Sequence, residues 1–250
     1  MSAFEAIVLG LVQGLTEFLP VSSSGHLIIV RDLMGINIPN ALTVDAVFQL
    51  ATILALIFYF FKDLVALPKN RTMFWAVVFG TLPAVFLGFL LEDSMETTFR
   101  NIHLVAWMFL LGSLIMYFAE RFAKQDQILT PKRGLVIGFF QALALIPGIS
   151  RSGATISGGL FSGLTREMAT RFSFILSIPI ILGSGLKKFF DLHKDGISGG
   201  VDPYLWIGSL VAFLTGLVAI HFLIRFLKNN KLTIFIWYRI VLALLILVFV

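Results

Sequence analysis

QGLTEFLPVSSSGH, residues Gln13 to His26, sets a carboxylate, three hydroxyls and an imidazole into an otherwise apolar run and interrupts it at Pro20. A second copy of that frame follows in GFFQALALIPGISRSG, residues Gly138 to Gly153. At an offset of 128, Gln13, Ser22, Ser24 and Gly25 fall on Gln141, Ser150, Ser152 and Gly153. At the same offset Gly80, Leu82, Ala84 and Gly88 fall on Gly208, Leu210, Ala212 and Gly216, so the chain reads as a duplication with halves of about 1–128 and 129–250.

The surroundings of the two stretches decide the class. The chain has 250 residues, of which 58% are hydrophobic and 13% charged, and a mean hydropathy of +0.95. That leaves too little polar surface to cover a soluble globule. A single polytopic membrane domain over 1–250 is expected. No cleavable leader is expected, because Glu5, Gln13 and Glu17 interrupt the first apolar run. Without cysteine there is no thiolate nucleophile and no Cys-based metal site. The net charge of +5 comes from cations in short loops between apolar runs, which is a matter of topology rather than of nucleic-acid binding.

Apolar runs of bilayer length lie near 44–61, 72–91, 102–120, 169–186, 204–226 and 233–250, giving six full spans. The stretches 3–34 and 133–163 are each broken by Pro and a Ser/Gly turn and are too short to cross twice. Read as re-entrant helix-loop-helix hairpins, they leave three crossings per half, an odd number that inverts one half against the other. Of the 19 Lys and Arg, this arrangement places twelve on one face and five on the other, against ten and seven if the stretches are interrupted spans. The positive-inside rule favours the hairpins, with both termini outside. The expected fold is therefore all-α, an inverted-topology repeat of six transmembrane helices and two re-entrant hairpins. Its two turns would meet in a wet pocket at mid-membrane depth.

Glu17 stands in an apolar helix, where an ionisable group costs about 2.5–3.5 kcal/mol unless it finds a partner or water. Gln13 lies one turn earlier on the same face. Ser22, Ser23 and Ser24 precede His26 as a half-helix begins, so a serine here is either a helix cap or a reactive hydroxyl. His26 is a candidate general acid, general base or nucleophile. In the second turn, Arg151 offers a planar fork matched to phosphate oxygens. Gly148 and Gly153 allow close approach of backbone, and the helix start adds partial positive charge. Ser22, Ser24, Ser150, Ser152, Gly148 and Gly153 are the candidate phosphate-binding set. The plainer alternative is an Arg151–Glu17 pair that only holds the halves together.

With these residues in view, the sequence resembles the bacterial undecaprenyl-diphosphate phosphatases, the integral-membrane family associated with bacitracin resistance. The resemblance rests on QGLTEFLPVSSSGH and PGISRSGAT and covers nearly the whole chain. It implies removal of the terminal phosphate from a C55 isoprenyl diphosphate, which returns the monophosphate carrier to cell-wall synthesis. The implied catalytic residues are Glu17, Ser23, His26 and Arg151, with a divalent cation, Mg²⁺ or Ca²⁺, on Glu17 and Gln13. A multi-pass protein of the bacterial plasma membrane is implied, its site open to the periplasmic or extracellular side. A second copy of the chain is a candidate partner, and nucleic acid is not. The rival reading is a secondary transporter or flippase of prenyl-phosphate lipid, since inverted repeats with broken helices are common in transporters.

Overall fold

A computed structural model describes residues 1–38, 41–90, 101–194 and 203–249, and within 188–194 the backbone alone. Among the described residues there are eleven α-helices and no strand. In chain order the first five are α1 (Ala3–Phe18), α2 (Ser23–Met34), α3 (Ala41–Tyr59), α4 (Phe61–Ala66) and α5 (Arg71–Leu90). The others are α6 (Ile102–Phe122), α7 (Pro131–Leu143), α8 (Arg151–Phe161), α9 (Arg166–Lys194), α10 (Tyr204–Asn229) and α11 (Thr233–Phe249).

Local chemistry sets the ends of these helices. Ser2 and Glu5 form a reciprocal capping box at the start of α1, and the helix stops one residue short of Pro20. Gly35 closes α2 in the left-handed region at φ 62°. Thr130 caps α7 by accepting from the Arg133 amide, and Pro131 takes the first helical position. The helices of the two broken stretches, α1, α2, α7 and α8, have 16, 12, 13 and 11 residues. At 1.5 Å per residue each covers at most about 24 Å, short of a hydrocarbon core of about 30 Å.

Among the described residues, five helices are long and apolar enough to cross a membrane: Ala41–Tyr59, Arg71–Leu90, Ile102–Phe122, Arg166–Lys187 and Tyr204–Asn229. The sixth expected span corresponds to Thr233–Phe249, an apolar helix of 17 residues interrupted by one charge, Arg239. Pro83 and Pro179 sit inside α5 and α9 without ending them. Large apolar side chains such as Phe58, Phe86, Trp107, Trp206, Trp237 and Phe249 are exposed around the outside. A soluble surface does not carry so much uncovered apolar area, and a lipid-facing one does. The protein is a multi-pass membrane protein.

Each half-helix pair reaches across to the other half of the sequence. α1 packs on α10 and α7 packs on α5, while α3 meets α9 and α6 meets α11. Small residues make the first two contacts close. A Cβ on Gly10 would lie 2.2 Å from the Gly208 carbonyl oxygen, and one on Gly138 would lie 2.4 Å from that of Gly80. These two pairs are the same pair displaced by 128 residues. Backbone contact of this kind is what small residues at membrane-helix interfaces allow. It carries both interrupted stretches into the interior, where α2 and α8 begin.

Candidate active site

The two turns have one unusual backbone conformation in common. Ser22 has φ 76° and ψ 97°, and Ser150, 128 residues later, has φ 77° and ψ 114°. Positive φ at a non-glycine residue costs on the order of 1–3 kcal/mol and is kept where the surroundings require it. Here it swings the chain directly from the turn into α2 and α8, so that residues 23 and 151 open the two helices at equivalent places.

The turns are tied to each other. The Gly148 amide donates to Ser22 Oγ at 3.2 Å, and Ser152 Oγ donates to the Leu19 carbonyl at 3.0 Å. Ser150 Oγ accepts from the Gly153 amide at 3.2 Å as the cap of α8. Thus Ser22, Ser150, Ser152, Gly148 and Gly153 each have a protein partner within the turns, and Ser24 Oγ stands 3.4 Å from Ser22 Oγ. Arg151 and Ser152 hold the first two amides of α8, which have no intrahelical acceptor.

At the centre is Glu17. Its Oε1 accepts from Arg151 Nη2 at 2.6 Å, and its Oε2 accepts from Ser23 Oγ at 2.6 Å and Gln13 Nε2 at 3.0 Å. One carboxylate therefore faces a hydroxyl on one side and a guanidinium on the other. Arg151 Nε and Nη1 are buried without a protein partner, as is Gln13 Oε1. Buried donors and acceptors of this kind are rare unless something else satisfies them. Beside them lies a cavity of about 130 Å³ lined by Glu17, Ser22, Ser23, Ser24, Ser150 and Arg151, together with Gln49, Gln141, Ala84, Ala144, Leu145, Ile180 and Ile181. Its lining mixes polar groups from the two turns and from Glu17, Gln49 and Gln141 with the aliphatic side chains of Ala84 on α5, Ile180 and Ile181 on α9, and Ala144 and Leu145 just after α7.

His26 stands apart from this group and does not line the cavity. Its Nδ1 lies 2.7 Å from the Ser22 carbonyl, which only accepts, so Nδ1 carries the proton. In the neutral ring Nε2 then accepts from the Tyr238 hydroxyl at 2.7 Å. Both ring nitrogens are engaged with protein, and the imidazole holds the residue whose backbone is strained.

Two participants, Gln49 and Tyr238, went unread in the sequence, and for Arg239 in the last span the sequence left a carboxylate, headgroups and carbonyls open as partners. Gln49 reaches the cavity from α3, Tyr238 reaches His26 from α11, and Arg239 reaches both turns through their carbonyls. Gln141 was marked as the repeat partner of Gln13. It lines the cavity, donates to the Gly80 carbonyl at 3.4 Å and keeps Oε1 unpartnered.

No group of three His, Asp or Glu suited to a metal occurs among the described residues. Glu17 and the free Gln13 Oε1 together supply one carboxylate and one neutral oxygen. Both Glu17 oxygens already accept from protein donors, so a hard ion there would draw most of its ligands from phosphate and water.

The sequence matches the family described as Bacitracin resistance protein BacA over residues 6–245. The chain belongs to that family. Among its BacA-family relatives is the undecaprenyl-diphosphatase of Arthrobacter sp. (strain FB24), 42% identical over 265 residues that cover 96% of this chain and 91% of the relative. That of Myxococcus xanthus (strain DK1622) is 42% identical over 266 residues, 99% and 89% of the two chains. That of Thermobifida fusca (strain YX) is 40% identical over 268 residues, 100% and 91%.

Proposed function

We propose that this BacA-family protein hydrolyses undecaprenyl diphosphate to undecaprenyl phosphate and inorganic phosphate, returning the lipid carrier to cell-wall synthesis. The observation that carries the reading is Glu17 held between Ser23 Oγ and Arg151 Nη2 beside a cavity lined by both polar and aliphatic side chains. The names of the relatives support hydrolysis over the transporter or flippase reading.

In the proposed reaction the free Nε and Nη1 of Arg151 take oxygens of the terminal phosphate, and with the first amides of α8 they stabilise charge on the transferred group. Ser23 Oγ attacks phosphorus while Glu17 takes its proton. The bond from phosphorus to the bridging oxygen breaks, and undecaprenyl phosphate leaves with the bridging electron pair. Glu17 passes the proton to the departing phosphate and then takes one from water, which attacks the phosphoserine. Phosphate leaves and Ser23 recovers its proton. His26 holds the Ser22 carbonyl and thereby orients Ser23. A Mg²⁺ or Ca²⁺ on Glu17 and Gln13 would neutralise charge on the diphosphate.

The finer architecture belongs to the same proposal: one membrane domain built of two inverted repeats, about 1–128 and 129–250, with α1/α2 and α7/α8 as re-entrant hairpins and the site open to the outer face. The matched glycine pairs and the matched serine conformations support it. Association with a second copy remains part of the proposal, to be read from the mass of the particle in detergent.

The test is phosphate release from a prenyl diphosphate by purified protein in detergent, with a rapid acid quench and peptide mapping of labelled phosphate. Label on Ser23, absent in Ser23→Ala, is expected. Absence of phosphate release from the wild-type protein would refute the hydrolase. Because the chain has no cysteine, Asn70→Cys, Gln125→Cys and Asn230→Cys test sidedness without background. All three should react only from the inner side of oriented vesicles.

A further inference from the structure

Arg239 has no role in the chemistry above, yet it is a costly residue to bury. Its side chain is 0% exposed, and no carboxylate pairs with it among the described residues. A buried guanidinium without a counter-charge survives only when its donors are well satisfied, and here main-chain oxygens do most of that. Nη2 donates to the carbonyls of Gly148 at 2.8 Å, Phe109 at 3.2 Å and Met108 at 3.3 Å. Nη1 donates to the Pro20 carbonyl at 3.4 Å, and Nε lies 3.3 Å from both Ser113 Oγ and the Phe109 carbonyl. The Phe109 ring lies beneath it at 5.3 Å.

The choice of acceptors is informative. Pro20 and Gly148 are 128 residues apart, so one side chain joins equivalent carbonyls of the two turns. Each carbonyl stands three residues before a side chain of the site, Ser23 in the first turn and Arg151 in the second. α6 leaves room for this bridge: a Cβ on Gly112 would lie 2.1 Å from Arg239 Nη2. The charge is also suggestive. Glu17 answers Arg151, so the positive charge of Arg239 is met by carbonyl dipoles, Ser113 and the face of the Phe109 ring.

We propose that Arg239 is a positioning residue of the phosphoryl-transfer site: by bridging the Pro20 and Gly148 carbonyls it fixes the separation of Ser23 from Arg151. This rests on the hydrolase reading. Arg151 can still hold the phosphate when the bridge is lost, but Ser23 is then out of line. The defect therefore falls on kcat, where a misplacement of about 1 Å costs on the order of a hundredfold.

The experiment compares wild type, Arg239→Met, Arg239→Lys and Arg166→Met in detergent. Each is measured for kcat and KM of phosphate release per folded molecule and for unfolding temperature. Arg166 serves as control because it pairs with Glu120 in another part of the fold. Arg239→Met is expected to lose about a hundredfold in kcat with KM within about threefold of wild type. Arg239→Lys, whose ammonium reaches one turn and not both, is expected to lose about tenfold. Arg166→Met should lower the unfolding temperature and leave kcat of the folded fraction unchanged. Wild-type kcat in both Arg239 variants, or a rise in KM with kcat intact, overturns the proposal. If Arg239→Met is not recovered folded, Arg239→Lys decides by the same criteria. Failure of the wild type to release phosphate sinks the hydrolase reading instead, before any variant is measured.

Discussion

Arg151 Nη2 donates to Glu17 Oε1 at 2.6 Å across 134 residues of sequence, joining the second turn to the helix that precedes the first. Both side chains are nearly buried, at 13% and 6% exposure. Neither can be removed without stranding the other, a loss of about 3–5 kcal/mol for a buried pair. Glu17→Gln and Arg151→Lys are each expected to lower kcat by about 10³-fold or more, and the double variant by little more than either one, because the groups act as a unit. Phosphate release by the four proteins completes the cycle, and additive losses would place the two residues in separate roles.

His26 gives a sharper test of role. Asn retains a donor near the position of Nδ1, so His26→Asn should keep the bond to the Ser22 carbonyl and lose less than about tenfold in kcat. His26→Ala should lose more, and Tyr238→Phe should stay within about fivefold of wild type, since it removes only the outer hydrogen bond. If His26 formed a phospho-intermediate, Asn and Ala would be equally inactive.

The glycine seam is a matter of stability rather than chemistry. Gly10→Ala and Gly138→Ala drive a methyl into backbone at 2.2 and 2.4 Å and should destabilise the protein by about 1–3 kcal/mol each. A Cβ on Gly88 meets nothing within 4 Å, so Gly88→Ala should be neutral. Unfolding temperatures in one detergent order the three.

Gln13→Glu replaces a donor to Glu17 with a second carboxylate. It should lower the Mg²⁺ or Ca²⁺ concentration that gives half-maximal activity by about tenfold and make activity more sensitive to chelator. Titration of chelator-stripped protein measures it. An unchanged midpoint would remove position 13 from the cation site.

The broken helices were legible because proline, glycine and serine punctuate apolar sequence in a way few arrangements satisfy, and because the second copy repeats the punctuation at a fixed offset. Glu17 and Arg151 stood out because a charge at membrane depth is expensive. The partners of Arg239 were not legible. Its acceptors are mainly carbonyls, which every residue carries, so nothing in the identity of Pro20, Met108 or Gly148 announces them. Tyr238 was hidden for a related reason: an aromatic near a membrane-helix end reads as interfacial bulk, and only the folded chain shows its hydroxyl on His26.

Position 23 and position 151 correspond under the 128-residue offset, yet one is Ser and the other Arg. Two identical halves, associating as separate subunits, would present a pair of hydroxyls or a pair of guanidiniums at that place and never one of each. Fusion into a single polypeptide lets the copies diverge there while the backbone around them stays alike, so that in the proposed reaction one half supplies the attacking atom and the other grips what it attacks.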